Sequence, residues 1–291
     1  MLRSTSTIAS ACAIASLLFF TACSTISDPA TSGPSALEQT ISARSTEAIA
    51  RDSARHPAQT LEFFDVRPGM TVAEALPGGG WYTNILASYL GADSTLYGIN
   101  YPDKIWPLFS FSNEKMIADR VASTAMFPTL VGGFTQSGIA AKGFTFETAP
   151  EELNSTVDRV LLIRALHNLN RFEASTGMRT QALSTVHRLL KDDGLVGVVQ
   201  HRAPADADDT GADGSRGYLK QANVIATFEE AGFELVATSE INANSKDQPG
   251  ADDIVWRLPP SYSGSQDNPA VKDAMTAIGE SDRMTLTFRK K

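Results

Sequence analysis

The chain has 291 residues, 42% hydrophobic and 20% charged, which suits one large domain or two ordinary ones with a substantial core. Its 25 Lys and Arg against 33 Asp and Glu give a net charge of −8 and no basic excess for a general nucleic-acid binder, so no nucleic-acid partner is expected. No internal period of about 20–50 residues is visible, which argues against solenoids and propellers.

Met1-Leu2-Arg3 is a short basic start, and Ile8 to Phe20 is almost continuously small or apolar. That run is too short to span a bilayer but suits the core of a signal peptide. It ends in Phe20-Thr21-Ala22-Cys23, followed by Ser24-Thr25, and resembles a bacterial lipoprotein signal. The resemblance implies removal of residues 1–22, a lipid on Cys23 and export to the periplasmic side of the envelope. Ser24 after the Cys points to the outer membrane. The other cysteine, Cys12, lies in the removable segment, so no cysteine nucleophile, thiolate zinc site or redox pair is expected in the body. Residues 23–43, rich in Ser, Thr, Pro and Ala, read as a flexible tether to the membrane. Residues 44–291 read as one domain.

Within the body, Thr46 to Ala54 reads as helical, and His56-Pro57 opens a second helix that Arg67-Pro68-Gly69 stops. Met70 to Leu76 is a short strand ending in Pro77-Gly78-Gly79-Gly80. A helix follows, with Ile85, Leu86, Tyr89 and Leu90 at helical spacing. Ser94 to Asn100 is a second strand. Residues 104–141 hold one helix around Asn113 to Ser123 and an irregular Gly-containing stretch, and Phe144 to Thr148 is a third strand. Val157 to Leu166 is a clear strand, followed by a helix over Phe172 to Lys191 and a strand over Leu195 to Gln200. A helix near Leu219 to Ala231, a strand over Phe233 to Glu240 and a last strand over Arg283 to Arg289 complete the order. Strands alternating with helices make a doubly wound α/β sheet. No strongly patterned crossover helix joins the last two strands, so the final one is expected to return antiparallel.

The strand–glycine turn–helix unit at Thr71 to Leu90 is the most informative feature. Glycines let backbone N–H groups approach a ligand at the positive end of a helix, and such sheets bind ligands at the carboxyl ends of their parallel strands. A dinucleotide fingerprint would need Gly where Thr83 stands, and a Walker loop would need a Lys that is absent.

Glu74-Ala75-Leu76-Pro77-Gly78-Gly79-Gly80-Trp81-Tyr82 resembles motif I of class I S-adenosylmethionine-dependent methyltransferases, and most of all a bacterial branch with Pro-Gly-Gly-Gly-Trp-Tyr-Thr at this point. The likeness continues in order through Arg164-Ala-Leu-His167-Asn168, His201-Arg202-Ala203, Gly217-Tyr218-Leu219, Glu240-Ile-Asn242-Ala-Asn244 and the final Leu-Thr-Phe-Arg. It implies a Rossmann-like, seven-stranded sheet with an antiparallel last strand, S-adenosylmethionine as cofactor, and a small-molecule or other methyl acceptor. It also implies that Glu74 holds the methionine amino group and that Pro77, Gly78, Gly79 and Gly80 bring the backbone close to the cofactor. Asn100 takes the ribose place, where a carboxylate is usual, and Leu76 replaces the first motif glycine. Glu147 or Thr148 is expected near the adenine, and Arg164 among the cofactor contacts.

His167-Asn168 and His201 both follow strands, on the ligand-binding edge, and could serve as base and orienting group. Each could equally bond only loop backbone. Trp81 and Tyr82 either stack on a ligand, with Tyr82 a candidate catalytic group, or belong to the core. His56 and His187 read as structural or exposed. Two histidines do not define a metal site, and none is expected. The acidic run Asp206 to Gly214 lacks the terminal Glu of a calcium loop, since Gly217 stands there, and reads as a mobile loop able to cover substrate. The competing function is a non-catalytic binding or surface lipoprotein that retains the fold. A nucleotide-sugar or NAD enzyme fails on Thr83 and on the antiparallel ending.

Overall fold

A computed structural model describes residues 1–2 and 33–291, of which Pro34–Lys291 forms one compact unit. The signal peptide and Cys23 lie outside the described residues. The tether expectation fails over its last residues, because α1 (Ala36–Ser42) is a helix with a full capping box between Ser35 and Glu38. Leu37 and Ile41, one turn apart, are buried in the same cluster as Ile85 and Leu86, so this segment belongs to the domain.

Two short helices, α2 (Thr46–Ile49) and α3 (Asp52–Arg55), replace the single one expected, and His56 turns left-handed (φ 40°) before α4 (Pro57–Phe63). Then come β1 (Thr71–Ala75), α5 (Trp81–Tyr89) and β2 (Thr95–Asn100). After β2, α6 (Glu114–Ala125) is capped by Asn113, and α7 (Phe127–Phe134) occupies the stretch expected to be irregular. β3 spans Ala140–Thr145, four residues earlier than expected, and leaves Glu147 and Thr148 in the turn beyond it. β4 (Val157–Ile163) leads into α8 (Leu166–Arg171), α9 (Glu173–Thr176) and α10 (Met178–Leu189). Gly177, at φ 67°, separates α9 from α10 and divides the expected long helix. The chain ends with β5 (Leu190–His201), α11 (Gln221–Glu230), β6 (Phe233–Ser239), α12 (Pro269–Ile278) and β7 (Arg283–Lys290). α12 has no buried residue.

The seven strands lie in the order β3-β2-β1-β4-β5-β7-β6. β1 to β5 pair in parallel, while β7 runs antiparallel to both neighbours. This is the doubly wound, Rossmann-like sheet with an antiparallel last strand that the sequence predicts. Each face is covered: Ile85, Leu86 and Phe127 bury one side, and Leu183, Val186 and Phe228 the other. The carboxyl ends of β1, β2, β4 and β5 therefore open on a common edge.

Candidate functional site

At that edge β1 makes an abrupt stop. Leu76 donates its N–H to Ile99 O (2.7 Å) and then adopts φ 52°, left-handed for a residue with a branched side chain. Gly78 (φ 58°) and Gly80 (φ 79°) continue the turn, and Gly80 caps α5. The glycines have different duties. A Cβ on Gly80 would lie 2.9 Å from the Phe134 ring and 3.2 Å from Leu130, so Gly80 admits α7 against the turn rather than a ligand. A Cβ on Gly79 meets nothing within 4 Å, and one on Gly78 only Leu76 O at 3.9 Å. Gly78 and Gly79 are the glycines of the turn that line open space.

Leu76, Pro77 and Gly78 form a partition between two cavities. The first, about 430 Å³, is aromatic: Tyr101, Trp106, Phe109 and Phe111 line it beside Asn100 and Arg120. Asn100 donates to Thr124 Oγ1 (3.1 Å) and Ser123 Oγ (3.4 Å). The hydroxyl of Tyr101 and the indole N–H of Trp106 are buried without a hydrogen-bond partner. Glu147 is not part of either wall: it is exposed and ion-paired with Lys104 at 2.6 Å. Thr148 is bonded back to Thr145. The shift of β3 thus removes both from the adenine position expected of them.

The second cavity, about 390 Å³, collects most of the ionisable candidates: Glu74, Arg164, His167, His201 and Tyr82, together with Arg51 and Arg55. Glu74 is buried and accepts a hydrogen bond from Thr83 Oγ1 (2.6 Å). Burial raises its pKa to about 7, although Thr83 and the Arg164 charge oppose the shift. Thr83, whose identity excludes the dinucleotide fingerprint, therefore holds the acid in place.

The two histidine rings lie 5.2 Å apart, centroid to centroid, and the His167 ring meets Trp256 in a T-shaped contact at 6.0 Å. Gln200 fixes the first of them. Its amide nitrogen donates to His201 O (3.1 Å) and Gly217 O (2.8 Å), which orients Oε1 to accept from the His167 backbone N–H and from His167 Nδ1, both at 3.1 Å. Nδ1 must then carry the proton, and Nε2 keeps its lone pair. Burial holds the His167 pKa down at about 4, and burial with the nearby His167, Arg164, Arg283 and Arg55 holds His201 well below its ordinary value. Both rings are neutral at pH 7. His201 Nδ1 is tied to Ser281 Oγ at 2.6 Å. Among the described residues no hydrogen bond engages either Nε2.

Tyr82 is buried, its hydroxyl 3.5 Å from Arg55 O, and burial pushes its pKa up; it is a neutral phenol here, not a base. Trp81 is structural: its indole donates to Ala48 O (3.0 Å), and Arg44 and Arg55 stack on its ring at 4.9 and 4.4 Å. His56 forms the turn into α4, and His187 packs on Phe233.

The acidic run is built from ordinary turns. Asp208 accepts from the Thr210 N–H (2.9 Å), Asp213 from the Ser215 N–H (2.7 Å), and Asp209 pairs with Lys220 (2.8 Å). Its Gly214 lies against the His167 backbone, where a Cβ would meet the carbonyl at 2.6 Å. The loop braces His167 from behind, and Trp256, from a segment with no sequence signal, covers the front. Among the described residues no group of three or more His, Cys, Asp or Glu gathers in metal-binding range.

No family model and no curated protein matches the chain. Solved structures similar to it include a SAM-dependent methyltransferase from Aquifex aeolicus, 17% identical over 66% of this chain and 87% of that one, with a TM-score of 0.44. SpnF, a 4+2 cyclase, is 15% identical over 82% and 80%, with a TM-score of 0.48. The 1,6-didemethyltoxoflavin-N1-methyltransferase of Burkholderia thailandensis, solved with 1,6-didemethyltoxoflavin and S-adenosylhomocysteine bound, is 13% identical over 84% and 80%, with a TM-score of 0.45.

Proposed function

We propose that the chain is an S-adenosylmethionine-dependent methyltransferase, exported and anchored through a lipid on Cys23. One observation carries the catalytic part: an open Gly78–Gly79 turn at the end of β1 divides an aromatic cavity from a charged one. A cofactor with an adenosine at one end and an amino acid at the other suits that division. The aromatic cavity, with Asn100 at its rim and two unpartnered polar groups in Tyr101 and Trp106, would take the adenosine. The carboxylate of Glu74 would hold the ammonium of the amino-acid end.

When bound, the cofactor supplies an electrophilic methyl group. The chain's contribution is to position, exclude water and accept a proton. Nε2 of His167 is the base: its lone pair is fixed by Gln200, and the low pKa keeps it unprotonated. His201, held by Ser281, orients the acceptor, and the neutral Tyr82 side chain lines the wall beside them. Trp256 closes the wall above them.

Calorimetric titration with S-adenosylmethionine and S-adenosylhomocysteine tests the cofactor part, with one site per chain expected and no binding refuting it. Cys23→Ala should leave the protein unprocessed or free of the membrane; a wild-type protein without lipid would refute anchoring. Asn100 in the ribose place and Leu76 at the first motif position favour a second reading, a binding lipoprotein that does not turn over. Cofactor binding without methyl transfer to any acceptor would select it.

A further inference from the structure

We infer that the methyl acceptor is a small oxyanion, a carboxylate or phosphate compound, held by Arg51, Arg55 and Arg164 beside His167; this rests on the methyltransferase reading. Four guanidiniums gather at this cavity, those three and Arg283 behind them. One carboxylate serves them: Glu280 lies 2.6 Å from Arg51 Nε, 3.5 Å from Arg55 Nε and 3.3 Å from Arg283 Nη1. The nearby Asp282 is taken by Arg202 at 2.8 Å. Glu74 is the remaining acid, and burial keeps it near half protonated at neutral pH. Both histidines are neutral. At least two cations therefore lack an anion.

The geometry is that of donors without acceptors. Arg55 Nη1 and Arg164 Nε are buried with no hydrogen-bond partner, and no side-chain hydrogen bond of Arg164 exists among the described residues. Guanidinium donors buried without an acceptor are costly, so a chain selected only to fold would not gather them here. Arg164 is moreover held at φ 56°, in the left-handed region, immediately beyond β4. The cofactor does not remove the imbalance. S-adenosylmethionine carries a carboxylate, an ammonium and a sulfonium, so it adds one positive charge to the cleft. An oxyanion on the acceptor lowers that excess of positive charge, and the guanidinium fork matches its oxygens in pairs.

The test follows thermal unfolding of the full chain, without cofactor, in inorganic phosphate, acetate or acetamide, with ionic strength held constant by potassium chloride. Phosphate and acetate should raise Tm saturably, and neutral acetamide should not. Arg51→Gln and Arg164→Gly should each weaken phosphate binding at least tenfold. Arg51 is partly exposed and glycine accepts the Arg164 backbone, so failure of one variant to fold leaves the other to decide. S-adenosylhomocysteine is then titrated with and without saturating phosphate. Unchanged or tighter binding supports two separate subsites. Competition would mean that phosphate takes the cofactor's own carboxylate position, and it overturns the proposal. So does a phosphate effect no larger than that of chloride, even where S-adenosylhomocysteine binds. Phosphate binding without any S-adenosylhomocysteine binding would leave an anion site but refute the methyltransferase reading, and the acceptor with it.

Discussion

Glu74→Gln should make the protein more stable at alkaline pH and leave it unable to hold the cofactor's ammonium. The folded-state pKa of Glu74 is about 7 against an ordinary 4.5, chiefly because the carboxylate is buried. Between those values the folded chain keeps a proton that the unfolded chain has lost. Its contribution is therefore complete below pH 4.5 and disappears as pH rises through 7. At about 1.4 kcal/mol per pH unit, the ionised side chain costs about 3 kcal/mol at pH 8. Gln keeps an oxygen for Thr83 and carries no charge, so the variant gains about that amount at pH 8 and nothing at pH 4.5. His167 and His201 have the opposite sign: their lowered pKa values lend stability above pH 6.5 that is lost as pH falls. The difference between wild type and variant isolates Glu74 from them. Urea unfolding at pH 4.5, 6, 7 and 8 measures it, and a difference that stays constant with pH would refute the reasoning. S-adenosylhomocysteine binding to wild type near pH 6.5 should also release a proton, seen as a buffer-dependent enthalpy that Glu74→Gln abolishes.

Gly80→Val should destabilise the fold by several kcal/mol, because its Cβ meets Phe134 at 2.9 Å and φ is 79°. Gly79→Val should leave urea unfolding nearly unchanged while reducing cofactor affinity at least tenfold, since only open space surrounds that Cβ. Asn100→Asp should tighten S-adenosylmethionine binding by about tenfold, as a charged ribose acceptor recovers roughly 1.4 kcal/mol. Unchanged affinity there would place the ribose elsewhere, though Asp103 is exposed and does not line the cavity. Gln200→Leu should lower kcat far more than the affinity for S-adenosylhomocysteine, because it frees the His167 tautomer without touching the cofactor cavities.

The sequence carried the architecture well where pattern and burial agree. Val157 to Ile163 is apolar and buried along most of its length, and the glycine turn after Ala75 marks the edge at which His167 and His201 meet. It misled where composition masks a local signal. The Ser35–Glu38 capping box and the Leu37–Ile41 pair stand in the sequence, yet Ser, Thr and Pro around them suggest a tether. Gly132 and Gly133 likewise suggest irregular chain, although Phe127 and Val131 bury a helix there. Ala140 to Gly143 offers no β-branched residue, so β3 was expected four residues late, and Glu147 with it. Arg51 and Arg55 are one helical turn apart, but their shared partner Glu280 is more than 200 residues away. No periodicity reports a contact of that kind.

Strain and charge converge on one edge of the sheet. Leu76 and Arg164 follow the adjacent strands β1 and β4; each donates its N–H to the next strand, to Ile99 O at 2.7 Å and Val199 O at 2.6 Å, then turns left-handed. Each such residue costs about 1–2 kcal/mol. The unpaired guanidiniums and the half-protonated Glu74 add to that cost within the same cleft. None of these groups stabilises the chain alone, yet each presents a donor, an acceptor or a backbone step to the two cavities. A ligand that satisfies them binds only the folded state, and at about 100 times its Kd it adds about 2.7 kcal/mol of stability. The deficit thus lies where occupancy can offset it, which is the physical reason to read this edge as a binding site and Gly78–Gly79 as its centre.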